Sequence, residues 1–322
     1  MLSLIVQRLL IGVVTVFAVS LIIFICTQWL PGDAAEIRLG QSATEANKAA
    51  LRAELGLDKQ LPVQYLNWAT NFLQGDLGKS LAGDRSISES IGDRYQSTVT
   101  VSVLTAAIGI PLSLFLGIMA AMFPSSLYDR ILTFVSVSLV AVPDFFTATL
   151  MVLIFVFAWD ALFGFQLANV VVIGNTQDMG VFELVGHYAL PIATLCFVIA
   201  SQVIRMTRAA VLNVMSSPYI EMAILKGVPR KRIILRHALL NAIGPIVNVI
   251  ALNLAYLVSG VVVIEVYFAY NGLATFMVQG VQQRDFILVQ SIGMLFCATY
   301  VILMLIADIA SIVSNPRLRH PK

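Results

Sequence analysis

The stretch Arg205–His237, RMTRAAVLNVMSSPYIEMAILKGVPRKRIILRH, sets a compact basic segment between two very apolar runs. Ser217 stands before Pro218, an N-cap residue ahead of the helix position where a missing backbone donor costs least. Gly227 stands where a short helix needs a left-handed terminator. The spacing therefore predicts a helix over Pro218–Lys226, about two and a half turns long. Tyr219, Met222, Ala223 and Lys226 follow the i, i+3, i+4, i+7 pattern and share one face. Glu221 falls in the first turn, where the helix dipole favours a carboxylate, and Ala223 is small enough to admit another backbone. Pro229 starts a second short helix carrying Arg230, Lys231, Arg232 and Arg236 among Ile233, Ile234 and Leu235. Gly244-Pro245 predicts a break or bend beyond it. Two short helices at an angle make a rigid knob suited to docking on another protein. Anchoring to lipid headgroups would explain the charge, but not the cap and the glycine stop.

Outward from this segment the chain is apolar. Of its 322 residues, 59% are hydrophobic and 12% charged, and the mean hydropathy is +0.88. A soluble domain carries roughly a quarter charged residues, so this is an integral membrane protein. A net charge of +2 gives no support for nucleic-acid binding. A bilayer core needs about 20 apolar residues per helix. Leu9–Leu30, Val99–Phe123, Ile131–Ala158, Tyr188–Ile204, Ala242–Ile264 and Ile287–Ile312 meet that length, which predicts an all-α membrane protein with six transmembrane helices. The first run is too long for a signal-peptide core and no small-residue cleavage pattern precedes Pro31, so it is expected to remain. Cys26, Cys196 and Cys297 lie inside apolar runs without metal or redox spacing, as buried thiols do.

Lysine and arginine set the orientation. Arg8, Arg130, the Arg205–Arg236 cluster, Arg317, Arg319 and Lys322 fall on one side, while Asp160–Glu183 contains neither base. Both termini are therefore expected in the cytoplasm. The domain reading is an N-terminal transmembrane helix (1–30), an external segment (31–97), a transmembrane core (98–312) containing the cytoplasmic loop 205–238, and a cytoplasmic tail (313–322). In the external segment, Ser42 with Glu45 reads as a capping box and Gly56 as a helix stop. Pro62–Leu73 reads as an amphipathic helix with Leu66, Trp68 and Phe72 suited to the membrane interface, serving as a cap lying on the bilayer and as a platform for an external partner. No internal repeat is visible, which counts against a secondary carrier built from inverted repeats.

Tyr219-Ile-Glu-Met-Ala-Ile-Leu-Lys-Gly227 resembles the Glu-Ala-Ala…Gly cytoplasmic signature of ATP-binding-cassette importer membrane subunits. Arg236-His-Ala-Leu-Leu-Asn-Ala-Ile-Gly-Pro245 resembles the dipeptide, oligopeptide and nickel branch. The likeness covers nearly the whole chain: Arg8, Pro31-Gly-Asp33, Glu54-Leu-Gly-Leu-Asp58, Gly75-Asp-Leu-Gly78, His187-Tyr-Ala-Leu-Pro191, Arg205-Met-Thr-Arg208, Glu265, Gly272-Leu273 and Arg284-Asp-Phe286 stand in the expected order. It is most like the first of the two permease subunits. The resemblance implies the type I importer permease fold, with a cytoplasmic coupling helix between helices 4 and 5, in a bacterial or archaeal cytoplasmic membrane. It implies a second homologous permease subunit, two cytoplasmic ATPases that bind ATP and Mg, and a periplasmic or extracellular solute-binding protein. Tyr219, Glu221, Met222, Ala223, Lys226 and Gly227 would dock on one ATPase. The chain departs from the family at Met222, where alanine is usual, at Tyr270-Asn-Gly-Leu-Ala274, where relatives often read Trp-Pro-Gly-Leu-Gly, and at Asp144, where a neutral residue is usual. The Asn-Gly pair can still turn tightly.

Asp144 follows Pro143 inside an apolar run, and an intramembrane carboxylate is expensive unless it pairs or faces a wet cavity. It is a pathway residue for a cationic solute, the partner of a base on the second permease, or a marker of a helix break. Asn248 and Asn253 serve as interhelical hydrogen-bond glue or as pathway ligands. Glu265 and Trp68 are candidate contacts for the binding protein, in competition with solvation and with the membrane interface. His187 and His237 lack metal-ligand spacing. Gly75-Asp-Leu-Gly-Lys-Ser80 ends like a phosphate-binding loop, but Leu73 stands where its first glycine is required. No nucleophile-base set appears, so no catalytic, cofactor or metal role is expected within this chain, and ATP falls to the partner ATPases. The competing interpretations are a stand-alone secondary carrier or channel, which would transport without ATPases, and a membrane enzyme.

Overall fold

The computed structural model describes residues 2–29, 39, 44–54, 56–82, 85–164, 172, 179–259 and 261–314. Pro31-Gly-Asp33, Ser42 and the tail bases Arg317, Arg319 and Lys322 lie outside them. In chain order the helices are α1 (Leu2–Gln28), α2 (Glu45–Glu54), α3 (Leu61–Leu73), α4 (Ile87–Met122), α5 (Leu127–Ala141), α6 (Asp144–Val152), α7 (Trp159–Phe163), α8 (Val181–His187), α9 (Ala189–Met215), α10 (Pro218–Leu225), α11 (Arg230–Arg232), α12 (Leu239–Ser259), α13 (Val262–Tyr267), α14 (Leu273–Gln282) and α15 (Phe286–Ser314). Wider π-helical turns, Leu153–Ala158 and Ile233–Ala238, join α6 to α7 and α11 to α12. Among the described residues, six helical runs are long and apolar enough to cross a membrane: Ser3–Gln28, Ile87–Met122, Asp144–Phe163, Ala189–Met215, Arg230–Ser259 and Phe286–Val313. The fold is all-α, as expected of a six-span permease core.

Three boundaries differ from the sequence expectation. The run Ile131–Ala158 is two helices, because Pro143 forces Val142 out of helical geometry (φ −90°, ψ 126°). The basic run after Pro229 is no separate short helix: it continues through Ile233–Ala238 into α12, which passes Gly244-Pro245 and ends at Ser259. Pro245 removes one backbone donor in the second turn of α12, a loss that membrane helices accommodate by local adjustment. Gly244 is close to the last turns of α15: a Cβ on it would lie 3.0 Å from Ser311 Oγ, which would have to shift to admit it. Finally, Thr44 starts α2, its hydroxyl accepting from the Asn47 amide at 3.3 Å, while Gly56 takes the predicted left-handed conformation (φ +66°).

The chain divides into two compact units. One comprises residues 1–9, 99–270 and 302–322. At its centre α9 touches α5, α6 and α12. Val101, Ala148, Met151, Leu195, Ile199 and Leu257 form one buried cluster, and Ala121, Val211, Ile234, Ala238 and Ala242 form another beneath α10. Gly117 brings α4 against α9 so closely that a Cβ would stand 2.8 Å from the Ile204 carbonyl oxygen.

The other unit comprises residues 10–98 and 271–301. The Tyr65 hydroxyl meets Ser20 Oγ at 2.7 Å, and Tyr65 and Trp68 pack against Phe24, so α3 lies along α1. Asp285, fully buried, gathers the Gly75–Ser80 turn onto the start of α15. Its carboxylate accepts from Ser80 Oγ at 2.5 Å, the Leu81 amide at 2.9 Å and the Leu288 amide at 3.1 Å, while Ser291 Oγ donates to the Leu77 carbonyl at 2.9 Å. The segment that ends like a phosphate-binding loop is thus a clasp. Asp285→Asn presents an NH2 group to these donors and is expected to cost about 1.5–3 kcal/mol. Limited proteolysis between residues 75 and 86 checks this: cleavage is faster in Asp285→Asn than in Ser80→Ala, which loses one donor only.

Candidate functional site

α10 is positioned by chemistry local to its ends. Ser217 is extended (φ −81°, ψ 147°) and Pro218 occupies the first helical turn. The expected side-chain cap is not made: Ser217 Oγ donates back to the Val214 carbonyl at 2.5 Å, which also accepts from the Ser217 amide at 3.0 Å. At the other end Gly227 is left-handed (φ +74°). Its amide reaches the Ile224 carbonyl at 2.9 Å and the Val228 amide the Ala223 carbonyl at 3.2 Å, the paired closure of a Schellman motif. Lys226 is the cap residue, so the helix is one residue shorter than predicted.

Ile220 is fully buried, and it pins α10 against the π-helical turn Ile233–Ala238, where Ile233, Ile234 and Ala238 are also buried. The remaining apolar side chains face outward: Tyr219 is 39% exposed, Met222 54%, Ile224 53% and Leu225 77%. Glu221 and Lys226 are exposed and Ala223 half-buried. The predicted face is therefore open at Tyr219, Met222 and Lys226. Leu225, three residues after Met222, enlarges it; Ile224 is exposed as well but lies four residues after Ile220, on the adjoining side. The signal for Leu225 was present in the three-residue spacing of Tyr219, Met222 and Leu225. A contiguous apolar helix face on a segment with its own anchor marks an interaction surface.

Behind this segment α9 is tied to α5. Arg208 Nε and Nη2 donate to the two oxygens of Asp129, the latter at 2.8 Å, a bidentate fork. Asp129 Oδ2 also accepts from the Ser125 amide at 2.9 Å, and the Asp129 amide donates to Ser126 Oγ at 3.2 Å. Asp129 is 2% exposed. Deeper along the same unit, the Tyr256 hydroxyl donates a short hydrogen bond to Asp144 Oδ2. Both residues are half-buried, and Asp144 opens α6 directly after Pro143. Asn253, one turn before Tyr256, is buried and donates its Nδ2 to the Val249 carbonyl of its own helix at 2.8 Å, whereas Asn248 is exposed. The two asparagines do not converge on Asp144.

Comparison with known sequences settles the class. Residues 113–320 match the binding-protein-dependent transport system inner membrane component, and residues 1–103 match the N-terminal component of such membrane proteins. The chain belongs to this permease family. It is 31% identical to the glutathione transport system permease protein GsiC of Pectobacterium atrosepticum, over 99% of this chain and 100% of that protein. It is 31% identical to the dipeptide transport system permease protein DppB of Escherichia coli over the full length of both. A probable peptide permease, y4tP of Sinorhizobium fredii, is 30% identical over 98% of this chain and 99% of its own length. The protein is thus a multi-pass inner-membrane permease subunit of an ATP-binding-cassette transport system.

Other expected sites of the permease fall differently. Glu265, expected at a surface to meet a binding protein, is fully buried within α13, because α13 folds back into the Leu257–Phe268 core. Burial, with Glu265 nearby, pushes the Tyr270 phenol well above its usual range. The Tyr270-Asn-Gly stretch does not turn on its glycine: Ala269 is the left-handed residue (φ 56°), closed by the Tyr270 amide on the Glu265 carbonyl at 3.2 Å, and Gly272 precedes α14 in extended geometry. Trp68 is half-buried among the Phe24, Tyr65 and Phe72 rings, so most of its surface serves the α1–α3 contact. His187 lies edge-on to Tyr188.

Proposed function

We propose that this permease forms half of the translocation pathway of an ATP-driven importer of peptides or related small solutes, and that α10 is its coupling helix. The observation that carries this is the exposed apolar face of Tyr219, Met222 and Leu225 on a helix anchored by Ile220 and closed by left-handed Gly227. A second permease completes the pathway, two cytoplasmic ATPases bind ATP and Mg, and an external binding protein delivers the solute. Both termini and the 205–238 loop face the cytoplasm, with residues 31–97 outside. The glutathione and peptide systems to which the relatives belong support the solute class.

ATPase closure pushes α10 as a rigid peg. Ile220 passes the displacement to Ile233–Ala238, hence to α12, while Asp129–Arg208 makes α5 follow α9. Rigid elements rocking together switch access between the two sides. Tyr219, Met222 and Leu225 fill an apolar groove on the ATPase, Glu221 and Lys226 lie at its rim, and Ala223 admits close approach. Asp144, Asn248 and Asn253 are assigned to the pathway.

A single cysteine at Met222→Cys, with Cys26, Cys196 and Cys297 replaced by serine, tests this in the assembled transporter. Oxidation is expected to cross-link residue 222 to a cysteine scanned along the ATPase groove, with a yield that changes on ATP binding. No cross-link at any groove position, or solute uptake by the permease pair without ATPases, would overturn the assignment in favour of a stand-alone carrier.

A further inference from the structure

Asp144 places a carboxyl group at the start of the apolar span Asp144–Phe163, where a charge is costly unless it pairs or meets water. At the helical rise of about 1.5 Å per residue Tyr256 lies roughly 30 Å from Arg236, about the thickness of a bilayer core. Among the described residues, the hydrogen-bond partner of Asp144 is the Tyr256 hydroxyl, and no lysine, arginine or histidine lies within ion-pair distance of it. A phenol donates one hydrogen bond and the first turn of α6 adds its dipole; neither supplies a full positive charge. Thr147 and Ala148, three and four residues on and so on the Asp144 face of α6, are buried; Asp144 itself is half-buried.

We propose that Asp144 and Tyr256 form a cation-recognising station in the pathway, and that the transported solute passes it with a positive group, such as the protonated amino terminus of a peptide. The inference rests on the import function proposed above. The pairing suits a transient guest. A carboxylate supplies the charge and an adjoining aromatic ring a face that attracts ammonium groups. The Tyr256 hydroxyl occupies one carboxylate oxygen and so weakens the grip, and conduction needs binding strong enough to admit the solute and weak enough to release it. A permanent pair with a base of the second permease would instead bury two charges for the life of the complex.

The test uses the complete transporter, with binding protein, in proteoliposomes. Uptake of trialanine and of N-acetyl-trialanine is compared between Asp144→Asn and the natural protein, each peptide referred to its own natural rate so that the binding protein's preference cancels. Asp144→Asn is expected to lower trialanine uptake at least tenfold and N-acetyl-trialanine uptake less than twofold, with Tyr256→Phe altering the same ratio by a smaller factor. Equal losses for both peptides, no loss for either, or separation of the two permeases on size-exclusion chromatography of Asp144→Asn would each overturn the station. If the natural transporter moves neither peptide with ATP, the import function falls first, and the station with it.

Discussion

Gly227→Val is expected to lower ATP-coupled uptake more than tenfold while the permease still inserts and assembles. A Cβ at residue 227 would meet no atom within 4 Å, so the effect does not come from crowding. It comes from the backbone, held at φ +74°, which costs an L-residue roughly 1–2 kcal/mol and is a marked outlier for a β-branched one. The strain falls on a helix of 8 residues, too short to hold itself together by its own hydrogen bonds. Relieving it opens the Val228–Ala223 and Gly227–Ile224 bonds and unwinds the turn that presents Leu225. The peg then absorbs the ATPase stroke without passing it to Ile220. Gly227→Asn is the discriminating control, since asparagine tolerates the left-handed region; it should retain most of the activity, with Gly227→Ala between the two. Uptake and ATP hydrolysis are measured together: hydrolysis persists in Gly227→Val and transport does not. Natural uptake by the valine variant would refute the coupling role.

What was legible in the sequence is what local chemistry decides. Gly227 and Gly56 stop their helices because glycine takes that conformation at the least cost, and their positions after short helical runs could be read directly. The six spans follow from apolar length alone. Pro143 was visible as a break, although the apolar count carried the span across it. Ser217 looked like a cap, yet its hydroxyl found the Val214 carbonyl first, a competition that spacing cannot rank. The contacts that organise each unit were not legible. Asp129 and Arg208 stand 79 positions apart and Ser80 and Asp285 205 apart, and each reads on its own as a topology charge, a loop residue or a false phosphate-binding motif. Glu265 was misplaced for the same reason: the end of an apolar run suggests a surface, and only the packing of α13 shows a buried carboxylate.

Arg208→Met is expected to be the most destabilising single change outside α10, by about 3 kcal/mol. The two sides of the pair are unequal. The Arg208 side chain is 28% exposed and that of Asp129 3%. Removing the arginine strands a buried carboxylate that keeps the Ser125 amide but no cation, whereas removing the aspartate leaves a guanidinium that can reach water. Asp129→Leu alone should therefore cost less than Arg208→Met. The double variant should recover most of the loss, because a buried pair exchanged for apolar groups of similar volume is often neutral or stabilising. Unfolding midpoints in detergent give the three values and their coupling. Uptake in the double variant then separates two roles for the pair. If stability and transport return together, the pair only holds α5 to α9. If stability returns and transport does not, the charged link itself carries the stroke: two forked hydrogen bonds fix the rotation of α9 relative to α5, and a methionine-leucine contact lets the helices slide.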